Sequence, residues 1–318
     1  MPRPTLTRRE FFWSSAAAAG ALLPCGFTGQ TAGAEPGKLK IYMHWDMEGT
    51  SGLFHREQVW FWEKGVKPEV ADEGRKLLEA DVNSAVAAAL AAGADRVIVC
   101  DTHHGGGNLR RDQMLADPRV TYHFKSRAYE GKALRWMPGL DASVDGLMLM
   151  AHHAKAGTRG AFLPHTWMLE WADFAINGQS VGEIGIETCY AGHWGIPLIL
   201  AQGDEAMCRE VKTQFPGAVT ACVKRAESPD RCSGPDAQAA RRLTAQKVAE
   251  AIEKLRSAKP APYRPSLPMR VAVRMRSERA AEAAAKKPGA QRKDAYTVEC
   301  EVKRHCDVVK WIAGAGVE

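Results

Sequence analysis

Four short apolar runs, each followed at once by acids or histidines, constrain this chain more than any other feature. They are Leu39–Trp45 (LKIYMHW), Arg96–Cys100 (RVIVC), Gly146–Ala151 (GLMLMA) and Ile196–Ala201 (IPLILA). Runs this short, with little polar alternation, read as strands of a parallel sheet covered on both faces. Helical pattern separates several of them. Glu69–Ala92 is rich in Ala, Leu, Glu and Lys and closes on Gly93, a second helix runs from near Val181 towards Trp194, and a charged, alanine-rich third spans roughly Pro235–Ala258.

Strand–helix–strand alternation specifies an α/β fold: a mostly parallel sheet flanked by helices, in Rossmann-like layering. The main domain is expected over residues 35–258. The proline-rich stretch KPAPYRPSLP at 259–268 reads as a linker. Beyond it Arg270–Met275, Glu278–Lys286 and Tyr296–Val302 read strand, helix, strand, so 269–318 is expected to form a smaller α+β unit.

Residues 1–34 read as an address. TLTRREFF at Thr5–Phe12 precedes an apolar stretch from Ser14 to Pro24 and a small-x-small end at Ala32–Ala34, the layout of an export signal. Arg8–Arg9 followed by Phe11 and Phe12 resembles the twin-arginine type, which predicts a periplasmic protein. Lipid anchoring at Cys25, in the string LPCG, is the second reading. No run approaches the ~20 apolar residues of a spanning helix, so no membrane span is expected.

Composition narrows the partners. The net charge of +6 comes from 43 basic against 37 acidic residues, spread along the chain except for a modest patch at Lys286–Lys293. A nucleic-acid partner needs a concentrated stripe, so none is expected. There is no GxGxxG and no Walker loop, and Gly105–Gly107 lacks the Lys-Ser/Thr of a phosphate cradle. No CxxC occurs; Cys222/Cys232 and Cys300/Cys306 are candidate pairs, while Cys100 and Cys189 read as buried thiols.

The chemistry is expected at the carboxyl ends of the strands, where open α/β sheets bind ligands. His44-Trp45-Asp46-Met47-Glu48 closes the first strand, Asp101-Thr102-His103-His104 the second, His152-His153 the third and Gln202-Gly203-Asp204 the fourth. Seven of the ten histidines fall between His103 and His193. Crowded carboxylates repel unless a cation joins them, and mixed His/carboxylate ligation suits zinc or a similar transition metal. Asp204 reads as a helix cap ahead of Glu205–Val211. Trp60, Trp62, Trp136, Trp167 and Trp171 read as packing groups or interface anchors.

Four ordered strings sharpen this: WDMEGTSG at Trp45–Gly52, DTHHGGGN at Asp101–Asn108, AHHAKAGTRGAFLPHT at Ala151–Thr166 and INGQSVGEIGI at Ile176–Ile186. Together they resemble the D-aminopeptidase DppA-like family of zinc metallopeptidases, over roughly Leu39 to Asp204 and more loosely through Val223-Lys224 into the C-terminal unit. The resemblance implies a pair of zinc ions held by Asp46, Glu48, His103, His153 and Glu183, with Asp46 as the bridge and His165 as the catalytic histidine. The residues themselves leave plainer readings open: His165 as a loop histidine bonded to backbone, Glu183 as a helix-dipole partner. Three positions depart from the family pattern. His44 stands where a small hydroxyl residue is usual, His104 where a small residue follows the ligand histidine, and His152 where an aromatic is usual. If strand alternation decides facing, only one of His152 and His153 points at the metals.

The function so implied is a binuclear zinc aminopeptidase that cuts the amide bond after an N-terminal D-amino acid of D-Ala type in short peptides or amides, by a zinc-activated hydroxide with His165 as partner. A ring-like homo-oligomer is implied as well. Two alternatives stay open: another exported binuclear metallohydrolase, such as an amidase or phosphoesterase, and a non-catalytic metal- or peptide-binding protein of the cell envelope.

Overall fold

The computed structural model describes residues 38–130 and 133–316. The export-signal and Cys25 readings fall on residues 1–34, outside the described residues.

In chain order the strands are β1 (Lys40–Trp45), β2 (Arg96–Asp101), β3 (Val120–His123), β4 (Arg127–Glu130), β5 (Ala133–Trp136), β6 (Gly146–His152), β7 (Trp171–Ile176), β8 (Gln179–Ser180), β9 (Leu198–Asp204), β10 (Val219–Ser228), β11 (Arg231–Ser233), β12 (Met269–Met275), β13 (Gln291–Arg292) and β14 (Thr297–Val302). The helices are α1 (Arg56–Val59), α2 (Pro68–Ala91), α3 (Glu183–Gly192), α4 (Glu205–Gln214), α5 (Ala237–Ser257), α6 (Glu278–Ala285) and α7 (Lys310–Ala313). All four expected strands form, each within two or three residues of its expected bounds, as do the three expected helices.

The main sheet runs β11-β10-β9-β6-β1-β2-β3 and is parallel except for β11, which returns antiparallel to β10. The chain winds outward from β1 through β2 to β3, then crosses back to β6 and continues through β9 to β10. The order therefore reverses between β1 and β6, and a crevice opens outside their carboxyl ends. Asp46 and Glu48 follow β1 there, and His152 and His153 stand at the end of β6.

Period-two alternation divides β1 between two cores. Ile41, Met43 and Trp45 pack with Leu78, Val82 and Val86 of α2 and Val248 and Ile252 of α5. Tyr42 faces the other way, into a core with Leu147, Leu149 and the α3 residues Ile184, Ile186 and Cys189. That second core is closed by an antiparallel sheet ordered β13-β14-β12-β7-β8. The strands of residues 269–302 thus continue a sheet begun by β7, to which β12 pairs from Val271↔Ile176 to Met275↔Trp171. Helix α3 lies between the two sheets and is buried from Ile184 to Gly192, as expected of a helix apolar nearly all round.

All seven cysteines among the described residues are free thiols, so neither candidate pair is joined. None of the described helices is long and apolar enough to cross a membrane.

Candidate metal centre

Each candidate side chain is delivered by a strand end or helix start whose local geometry is forced. Gly49, after Glu48, has room for no side chain: a Cβ there would stand 2.6 Å from the Ala151 carbonyl carbon and the His152 oxygen. That contact draws the ends of β1 and β6 together, and Gln202 of β9 ties them by accepting from Ala151 N and donating to the Gly49 carbonyl at 3.1 Å. After β2, buried Asp101 accepts from the amides of Gly107, Asn108 and Leu109, folding the loop back so that His103 returns over β1. Gly106, at φ +89, passes within what would be 2.7 Å of the Asp101 carbonyl, a path only glycine follows.

The end of β6 does not alternate. Leu147 and Leu149 face α3 while Met148 and Met150 face α2 and α5, which would send His152 away from α3. Ala151 instead adopts φ +56, and the pairing of β6 with β9 slips between Leu149 and His152. Both rings therefore reach the crevice, and the expectation that only one of His152 and His153 could do so gives way to this break in the strand.

Asp46 is the meeting point. Its Oδ1 lies 2.8 Å from His103 Nδ1, and its Oδ2 lies 3.4 Å from His153 Nε2. Glu48 Oε2 stands 3.3 Å from the same His103 nitrogen. Glu183 Oε1, at the first turn of α3, stands 3.3 Å from the same His153 nitrogen. Backbone carbonyls fix which nitrogen faces inward, because a carbonyl only accepts. His103 Nε2–H donates to Val59 O at 3.1 Å and His153 Nδ1–H donates to Ala154 O at 2.9 Å. Each ring thus turns its other nitrogen to the acids, the arrangement by which metal-binding histidines are oriented. All five side chains the sequence singled out as ligands therefore converge.

His165 completes the group. Its Nδ1–H donates to Leu163 O at 2.9 Å, leaving Nε2 as a lone-pair acceptor 3.7 Å from Glu183 Oε1. The ring stacks on His153 with centroids 3.9 Å apart. Leu163 and Trp167, on either side of it, hold left-handed φ angles of 48° and 60°, conformations that cost non-glycine residues roughly 1–2 kcal/mol each. Burial, and next the neighbouring His153, lower the His165 pKa. Burial acts to raise Asp46, but the His103 and His153 imidazoles prevail and hold its carboxyl well below the usual range.

A cavity of about 690 Å³ opens onto these groups. Trp60, Trp62, Trp136 and Trp167 line it, so four of the five tryptophans read as packing groups also wall the site. Trp60 does more, since its indole N–H donates to Glu48 Oε1 at 2.8 Å. His104 stacks on Trp62, centroids 4.2 Å apart. Asp204 caps α4 as expected, accepting from Met207 N, and also accepts from Phe162 N. Lys224, fully buried, donates to the Glu48 carbonyl at 2.8 Å and also to the Leu53 carbonyl. Sequence reasoning read Trp60 only as a packing group and passed over Glu187, whose signal was its place four residues after Glu183 on one helix face.

The free atoms decide whether a metal suits this group. Glu48 Oε2 and His153 Nε2 are buried without a hydrogen-bond partner, which native structures seldom tolerate. Imidazole nitrogens and carboxylate oxygens aimed at common points are a donor set for zinc-like ions.

Comparison with known proteins agrees. The D-aminopeptidase family model, peptidase M55, matches residues 39–313. This chain belongs to the D-aminopeptidase family. Within it, the chain is 30% identical over 233 residues to a D-aminopeptidase of Bacillus subtilis (strain 168), covering 72% of this chain and 80% of that one. Its fold is similar to that of the Zn-dependent D-aminopeptidase DppA from Bacillus subtilis, described as a self-compartmentalizing protease. The TM-score is 0.75 at 25% identity, over 84% of this chain and 93% of that chain. The D-aminopeptidase family match thus runs from β1 to α7 and takes in both sheets.

Proposed function

We propose that this protein is a binuclear zinc aminopeptidase that releases an N-terminal D-amino acid of D-Ala type from short peptides or amides. The carrying observation is the division of Asp46: one oxygen belongs with His103 and Glu48, the other with His153 and Glu183. A carboxylate divided in this way would serve both halves of a two-ion centre. Two zinc ions, when bound, polarise the scissile carbonyl and lower the pKa of water from 15.7 towards ~7.

The chain's own residues do the rest. His165 Nε2, neutral and facing the cavity, accepts a proton during attack and returns it to the leaving amine, as general base and then general acid. The Leu163 carbonyl keeps that tautomer in place. Trp60 and Trp62 form an apolar wall beside the acids, which excludes water and bounds the space for the substrate's side chain. Stereochemical preference follows from that wall rather than from the metal ligands.

The leader's Arg8–Arg9 supports a site of action outside the cytoplasm, and export in folded form suits a centre whose metal is loaded first. The neighbour's self-compartmentalizing assembly supports a homo-oligomer here as well. Exposed Met168 and Leu169 at the cavity rim are suited to such a contact.

The test is cleavage of paired D- and L-alanyl p-nitroanilides, with zinc content per chain measured on the same preparation. D-selective turnover, lost in Asp46→Asn with the fold intact, supports the reading. Hydrolysis of p-nitrophenyl phosphate in its place would identify a phosphoesterase, and zinc binding without turnover a binder.

A further inference from the structure

Behind the Asp46 group lies a second knot of donors: His44, His152 and Glu187. β1 alternation puts His44 on the α3 face with Tyr42, the break at Ala151 brings His152 to the same face, and Glu187 follows Glu183 by one turn of α3. All three side chains are at most 1% exposed. His44 Nδ1 lies 3.0 Å and His152 Nε2 3.2 Å from the same atom, Glu187 Oε2.

Despite those distances, none of the three atoms has a hydrogen-bond partner. Protonated imidazoles gathered round a carboxylate would aim their N–H bonds at it, and neither ring does. Donors that stand close together yet point past one another share a target between them. Neighbouring ligands about 2.1 Å from one ion stand roughly 3.0–3.4 Å apart, which spans both separations. The unpartnered Glu48 Oε2 and His153 Nε2 of the first site carry the same signature.

We infer that His44 Nδ1, His152 Nε2 and Glu187 Oε2 hold a third divalent transition-metal ion. Two imidazoles and one carboxylate are a zinc-type donor set with a position left open. Glu187 also lines the cavity, so this group borders the substrate space. His152 turns its other nitrogen, Nδ1, to Asp46 Oδ2 at 3.8 Å, placing the third ion one imidazole away from the bridging carboxylate. The three residues cluster within 4.8 Å of one another as donors, as Asp46, Glu48 and His103 of the first site do. The inference extends the zinc reading of that site but does not depend on it, because the two donor sets are separate.

Crystals of the full chain grown with zinc and measured at the zinc absorption edge provide the test. An anomalous peak about 2.0–2.2 Å from His44 Nδ1, His152 Nε2 and Glu187 Oε2 is expected. Peaks at Asp46 with none at Glu187 would overturn the inference and leave the binuclear reading standing. A peak at Glu187 with none at Asp46 would do the reverse. In solution, His44→Ser and the near-isosteric Glu187→Gln should each lose one zinc per chain relative to the wild type. Unchanged zinc content in either folded variant counts against the third ion.

Discussion

The indole N–H of Trp60 donates to Glu48 Oε1 at 2.8 Å, from a residue 12 positions further along the chain. That bond leaves the other oxygen, Oε2, beside His103 without a hydrogen-bond partner of its own. Trp60→Phe keeps the apolar wall but strips a buried carboxylate oxygen of its donor. Loss of such an orienting partner lowers metal affinity by about 10–100-fold. Competition titration against a zinc chelator should show that drop with the fold retained; unchanged affinity would make Trp60 only a wall.

His165 is expected to act on protons and not to hold the metals. His165→Ala should lower kcat by about 10²–10⁴-fold, the usual range for a lost acid–base group. Zinc per chain should stay at the wild-type value. Loss of zinc together with turnover would place His165 among the ligands instead.

Metal removal should be felt as lost stability. Asp46 and Glu48 are both buried, and buried like charges without a counter-ion oppose the folded state. Dialysis against a chelator should lower Tm, and zinc should restore it in a concentration-dependent way. A Tm indifferent to zinc would speak against a resident ion.

The left-handed turn at Ala151 invites a pair of substitutions. Ala151→Gly fits φ +56 without a Cβ penalty and should change stability by less than about 1 kcal/mol. Ala151→Val puts a branched side chain where even alanine is strained and should cost more than about 1 kcal/mol. Because His152 and His153 follow directly, the valine variant should also bind less zinc than the glycine variant. Equal zinc binding in the two would separate the turn from the site.

Lys224 offers a pH test. Burial lowers its pKa to about 8, against an ordinary 10.5. The folded chain therefore gives up this proton at a lower pH than the unfolded chain. Between about pH 8 and 10.5 the unfolded state binds more protons, so rising pH favours folding through this group. Below that window both states are protonated and the contribution is flat. Urea titrations should show the wild type gaining on Lys224→Met across the window, and parallel curves would remove Lys224 as the cause.

Local pattern carried the parts of this molecule that depend on local physics. Apolar runs bounded by acids and histidines marked β1, β2, β6 and β9, and the ordered strings brought Asp46, Glu48, His103, His153, His165 and Glu183 to notice before any geometry. What stayed hidden depends on distant contacts. Trp60 meets Glu48 only because α1 folds over the end of β1. The reversal at Ala151 comes from a slip against β9, which alanine's propensity does not announce. The pairing of β12 with β7 joins segments nearly a hundred residues apart and follows no periodicity. His44 stands out in the sequence as a departure from the family pattern, but its partner Glu187 does not until α3 is laid across β1.

Helix α3 carries Glu183 and Glu187 while wedged between two sheets. The spacing of these acids from the histidines is therefore gauged by packing on the side remote from the crevice, where Cys189 Sγ lies 3.7 Å from Met269 Sδ of β12. Substitutions in that outer layer, far from the crevice, would retune how closely the acids and histidines at its floor can close on a metal.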